Sequence, residues 1–212
     1  VPLHNMTGLK LLNVSHNKIE TIPRQTFPKL YELHTIDLAY NNLSDIHNGV
    51  LQTLFSLRYL NLSHNSLESI KPSTFGPLPT LLDLDLSYNK LTEIARGSLA
   101  RLASCRILTV KNNKLKKIFQ LPISLGHLDF SNNNLEEIPT TEIWPSMNSL
   151  LSLDLSKNHL ADNLQHGSFE NLLTLRILNL QGNNMTLPPW AALSTLTSLQ
   201  YLYMQDNELT SL

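Results

Sequence analysis

The 212-residue chain has a single cysteine, Cys105, so it can form no internal disulfide and has no zinc-binding cysteine pattern. It also lacks long apolar runs, and nothing approaches the ~18 residues a membrane helix needs. Charge is sparse: 16% of residues are charged and the formal net charge is -1. Without a global field, neither nucleic acid nor an anionic membrane is expected as a partner. Membrane attachment is expected only through segments outside this chain. The sequence opens Val1-Pro2-Leu3 with no Met and no signal peptide, and is expected to be an internal piece of a longer protein. No G-x-S-x-G, H-E-x-x-H, P-loop or dinucleotide fingerprint occurs, so no catalytic residue, metal or cofactor is expected, and no enzymatic activity.

What is present is a period. Leu9, Leu33, Leu57 and Leu81 stand 24 residues apart and define position 1 of a repeat. Positions 4, 6, 11, 14, 19 and 22 are then apolar in all four copies, as in Leu12, Val14, Ile19, Ile22, Phe27 and Leu30. All 28 of these slots are apolar, where 42% apolar content would give roughly 12 by chance. The register continues through repeats 105–124, 125–149, 150–174 and 175–198, after 9–32, 33–56, 57–80 and 81–104. Partial repeats occupy 1–8 and 199–212. Repeat five is only 20 residues long. The whole chain, 1–212, reads as one repeat array. It carries no cap at either end, and the isolated fragment is expected to be poorly soluble.

Position 9 is asparagine in every copy: Asn17, Asn41, Asn65, Asn89, Asn113, Asn133, Asn158, Asn183 and Asn207. Here the chain leaves a short strand and turns inward, where backbone groups have no sheet partner. A carboxamide both donates and accepts, so a ladder of asparagines can satisfy them. These residues are expected to be structural.

The pattern L-x-x-L-x-L-x-x-N-x-L resembles the leucine-rich repeat. The implied fold is an α/β solenoid, a horseshoe with a parallel β-sheet on its concave face and short irregular, 3-10 or helical return segments on the convex side. Positions 4 and 6 should enter the core, and positions 3, 5 and 7 should face out from the concave surface. Lines such as Leu57 to Leu78 and Leu81 to Leu102 are similar to the class found in animal extracellular proteins. Those include insect cell-surface adhesion glycoproteins of the chaoptin/connectin kind and Toll-type receptor ectodomains. The resemblance implies an extracellular, cell-surface location.

Several residues are candidates for binding. His16, Tyr40, His64 and Tyr88 share position 8 and would form a row near the strand ends, suited to stacking and hydrogen bonding; the bland reading is variation at a tolerant position. Tyr59, Tyr201 and Tyr203 should stand on the concave face, with Asp83, Asp85, Asp129 and Asp154 as an acidic strip joined by Asp37. Between Glu93 and Asp129 there is no acidic residue. This stretch holds seven basic residues, Arg96, Arg101 and a candidate edge patch of Arg106, Lys111, Lys114, Lys116 and Lys117, set against the alternative of a solvated edge screened within about 8 Å. Asn5, Asn13, Asn42, Asn61 and Asn184 head N-glycosylation triplets, near the number chance gives in so Asn-rich a chain. Cys105, at position 1 of repeat five, is expected in the core. Trp144 and Trp190 are expected to pack on the convex side.

The function taken forward is an extracellular protein-binding scaffold for cell adhesion or cell-surface recognition. Its expected partner is a protein, including a second copy on an opposing cell. The alternative is the ligand-binding ectodomain of a Toll-like signalling receptor.

Overall fold

The computed structural model describes residues 2–140 and 143–212. Val1, of the first partial repeat, and Thr141 and Glu142, of repeat six, lie outside the described residues. After a 3-10 turn at Pro2–Asn5, the strands in chain order are β1 Leu11–Asn13, β2 Thr35–Asp37, β3 Tyr59–Asn61, β4 Ser69–Ile70, β5 Asp83–Asp85, β6 Glu93–Ile94, β7 Ile107–Thr109, β8 His127–Asp129, β9 Ser152–Asp154, β10 Ile177–Asn179 and β11 Tyr201–Tyr203. One short helix, α1 Trp190–Leu193, is the α-helix among the described residues.

Nine strands, all except β4 and β6, form one parallel sheet in sequence order. Equivalent positions pair directly, as in Leu12 with Ile36 and Leu153 with Leu178. Positions 3, 4 and 5 of each repeat supply the strand. Position 4 points inward: Ile36, Leu60, Leu84, Leu108, Leu128, Leu153 and Leu178 are 0–2% exposed. Position 6 follows them into the core. Each fully buried leucine of this kind contributes about 1.5–3 kcal/mol. The core runs unbroken through the stack, so each repeat is stabilised by its neighbours.

Position 7 faces out less than expected: Ser15, Lys111 and Gln181 are half-buried, Gln205 is exposed, and the small residues of the other five copies are buried. Ala39, Ser63, Ser87, Ser131 and Ser156 are 4–6% exposed. The reason lies two residues earlier. The position 5 side chain folds back onto the position 7 amide, as in Asn61 Oδ1 accepting from Ser63 N at 2.9 Å and Asp154 Oδ1 from Ser156 N at 2.9 Å. The strand parity of two therefore ends at position 5, and position 7 is tucked beneath the turn.

The asparagine row then closes each turn. Asn89 Nδ2 donates to the carbonyls of Leu62, Leu86 and Ser87, and its Oδ1 accepts from Leu67 N at 3.0 Å. The same pattern recurs from Asn41 to Asn183, whose exposures are 0–8%. Asn17 bonds only carbonyls of its own repeat, and Asn207 is part-buried.

Beyond the turn, β4 and β6 pair in parallel as a separate two-stranded ribbon at positions 13 and 14 of repeats three and four. Cys105 is fully buried. Burial, aided by the carboxylate of Asp83, pushes its thiol up to about 12. Trp144 is buried and donates from Nε1 to Ser168 O at 2.7 Å. Trp190 departs from expectation: it opens α1 and stays 50% exposed.

Candidate recognition surfaces

Position 8 carries the most distinctive geometry. Its residue adopts a left-handed backbone in every repeat, with φ from 53° to 66° between His16 and Asp206. The turn demands this, because the chain must reverse after position 7 while the asparagine stays inside. Asn112, Asn132 and Gly182 suit the conformation, whereas an ordinary side chain costs about 1–2 kcal/mol there. Repeats one to four nevertheless place His16, Tyr40, His64 and Tyr88 in it. Their rings form one continuous stack with centroid separations of 4.3, 4.0 and 4.2 Å and interplanar angles of 9–10°. Tyr40 is 46% and Tyr88 39% exposed. The left-handed backbone was not legible from the residue types, although nine consecutive turns of the same length pointed to a shared conformation.

The sheet beside this stack forms a shallow concave trough of about 250 Å³, lined by Asp37, Tyr59, Asn61, Asp83 and Asp85 among others. Partial burial, then the neighbouring Asp85, raises the Asp83 carboxyl above its ordinary value. Asp85 accepts from Ser87 N and Oγ, at 2.9 and 2.6 Å. Asp129 does the same with Ser131, so these carboxylates spend one oxygen on the turn. Asp129 and Asp154 pair across β8 and β9 and are separated from the trough by Thr109 on β7. Tyr201 and Tyr203 stand exposed on β11, far along the sheet from Tyr59. The expected acidic strip is thus two clusters, and the tyrosines do not form one patch.

The basic set is likewise divided. Arg106, at position 2, lies over Gly126, with Nε 3.7 Å from where a Cβ would stand. Lys111 sits half-buried at position 7. Lys114 borders the asparagine turns near Asn112 and Asn132, whose side chains bond each other at 2.6 Å. Only Lys116 and Lys117 come together, with Arg96, along an open groove of about 720 Å³ lined by the returns of repeats four and five and by Ile143 of repeat six.

Asn5, Asn42 and Asn184 are exposed and off the sheet. Asn13 and Asn61 lie on the concave face, with Oδ1 engaged by Ser15 and Ser63. Among the described residues, no group of three or more His, Cys, Asp or Glu could hold a metal ion, and no helix is long and apolar enough to cross a membrane.

Leucine-rich repeat family models match residues 7–67, 56–115 and 148–209, and 124–146. The chain belongs to the leucine-rich repeat family. No curated protein matches it at the level of sequence. Among solved structures, the leucine-rich repeat domain of APL1B superposes with a TM-score of 0.84 at 26% identity, over 98% of this chain and 58% of that one. The LRIM1/APL1C complex gives 0.79 at 26%, over 95% and 36%. The TLR13–ssRNA13 complex gives 0.84 at 23%, over 95% and 33%. The chain thus spans between a third and somewhat over half of these proteins' lengths. The array shares the repeat scaffold of these domains. The TLR13 complex holds single-stranded RNA on this fold, so the expectation that nucleic acid is excluded is not supported.

Proposed function

We propose that this leucine-rich repeat chain is the recognition part of an extracellular, cell-surface protein. It binds a protein partner through the concave face of repeats one to four and the ring stack at its rim, and the first candidate partner is a second copy on an opposing cell. One observation carries the reading: four stacked rings, three of them exposed and His64 half-buried, sit in a backbone conformation where asparagine or glycine would cost less. A feature held against local preference points to selection for contact rather than for folding. A rigid row of half-exposed Tyr and His supplies area at little entropic cost, which suits an interface centre. The acidic trough beside it favours a basic rim on the partner. N-glycans on Asn5 and Asn184 would leave this face clear, a glycan on Asn42 would rise two residues from Tyr40 at its rim, and glycans on Asn13 or Asn61 would rise from the sheet itself. This reading places the chain with chaoptin/connectin-like adhesion proteins. The similarity to TLR13 favours a second reading, a Toll-like receptor ectodomain that uses the same scaffold to hold a ligand.

The test displays the full-length protein on non-adherent cells, alone and mixed with non-displaying cells. Aggregates restricted to displaying cells, and lost in the Tyr40→Asn/Tyr88→Asn variant, support homophilic adhesion through the stack. Strong display without aggregation would shift the assignment to the receptor reading. Aggregation untouched by the double variant would remove the stack from the interface.

A further inference from the structure

The ribbon of β4 and β6 ends abruptly at repeat five. β6 pairs with β4 on one side, and no strand of repeat five joins it on the other. The last backbone bond on this flank between repeats four and five runs from Lys114 N to Leu91 O at 2.8 Å. Beyond it the two returns diverge. After position 14, repeat four has ten residues, 95–104, and repeat five only six, 119–124. Lys117 and Ile118, at the same two positions, form no strand beside β6, and the return that follows them is four residues shorter than that of repeat four. The groove of about 720 Å³ is the space left open.

Its walls combine three features. One wall is the edge of β6, a parallel strand with a free flank. The floor is apolar, from Ile94, Ile118 and Phe119. The rim is cationic: Arg96, Lys116 and Lys117 are exposed, and Glu93 is the single carboxylate among the described lining residues. None of the three cations meets a carboxylate within ion-pair distance among the described residues, where the pair is Lys71–Asp45.

We infer that this notch captures an extended, acidic peptide segment of a partner protein, which adds a strand to the edge of β6. Main-chain hydrogen bonds would supply affinity, alternate apolar side chains would cover the floor, and alternate carboxylates would reach the three cations. A sulfated polysaccharide would satisfy the cations but has no use for the strand edge or the apolar floor, which is why the peptide is favoured. The notch lies off the concave sheet and does not depend on the ring stack.

The experiment titrates the full-length protein with a short fluorescent peptide alternating glutamate and valine, read by anisotropy. A second peptide of the same sequence is N-methylated at alternate amides, which removes donors without changing charge. Supporting results are saturable binding, a loss of roughly tenfold or more in the Lys116→Glu/Lys117→Glu variant, a similar loss on N-methylation, and no change in the Tyr40→Asn/Tyr88→Asn variant. The charge-reversal variant is checked by circular dichroism, and a Lys116→Gln/Lys117→Gln variant serves if it is misfolded. Equal binding of the methylated peptide overturns strand addition. Binding of a heparin-type polysaccharide through Lys116 and Lys117 with no peptide binding reassigns the notch to glycans, and absence of peptide binding altogether refutes the proposal.

Discussion

Replacing Asn89 with alanine removes four hydrogen bonds, but the structure makes them unequal. Leu62 O keeps Asn65 Nδ2 at 3.1 Å, Leu86 O keeps Asn113 Nδ2 at 3.0 Å, and Ser87 O keeps His64 N at 3.0 Å. The carbonyls are therefore doubly served. Leu67 N has Asn89 Oδ1 at 3.0 Å and loses it, in a residue 1% exposed. An orphaned buried amide costs about 1–3 kcal/mol, and three redundant bonds at the low end of their range bring the loss to about 3–4 kcal/mol. Asn89→Asp is the sharper probe. It retains the acceptor for Leu67 N and aims a carboxylate oxygen at three carbonyls. The introduced carboxyl should have a folded pKa well above its unfolded value of about 3.9. Its penalty is then absent below that unfolded value and full above the folded one, so stability is recovered on acidification. Urea unfolding followed by circular dichroism, near pH 7 and near pH 4, measures both variants against the parent. An alanine variant within about 1 kcal/mol of the parent, or an aspartate variant with no gain at low pH relative to the parent, would refute the division of labour.

Three further outcomes are expected. Tyr40→Asn should change stability by less than about 1 kcal/mol, because two lost ring contacts of about 0.5–1.5 kcal/mol each are offset by relief of the left-handed backbone; a thermal melt reads this, and a large loss would make the stack structural. Asp83→Asn should raise the melting temperature at neutral pH. Since the folded carboxyl is raised, its destabilisation is full above the folded pKa and absent below 3.8, so the gain should vanish in acid. Cys105 should resist iodoacetamide near pH 8 in the native protein and react fully in denaturant, as mass spectrometry would show; its thiol is buried and raised to about 12.

The repeat register, the core positions and the asparagine ladder were all legible in the sequence, because one physical demand recurs every turn and leaves the same residue type each time. The concave face was only half legible. Position 7 was assigned outward by strand parity, yet the strands stop at position 5, where Asn61, Asp85, Asp129 and Asp154 cap the turn. Asn or Asp at position 5 with Ser two residues on carried that signal. The row at position 8 was visible as residue types, but its stacking depends on a shared left-handed φ that His and Tyr do not advertise. The basic set was drawn from linear proximity. Arg106 and Lys117 are eleven residues apart in sequence, and one full strand and turn separates them in space. Arg96, in the same acid-free stretch but on the preceding repeat, lines the notch with Lys116 and Lys117.

The asparagine ladder also has a direction. Asn41 completes the amide of Ile19, Asn65 that of Leu43, and Asn183 that of Leu160, so each turn is finished by the side chain of its successor. A ribosome delivers these repeats in order, and every nascent turn must wait one period before its last buried donor is matched. Growth would advance as a zipper whose teeth close one behind the leading edge. Removing repeats from the front strands no such amide, whereas removing them from the rear always strands one.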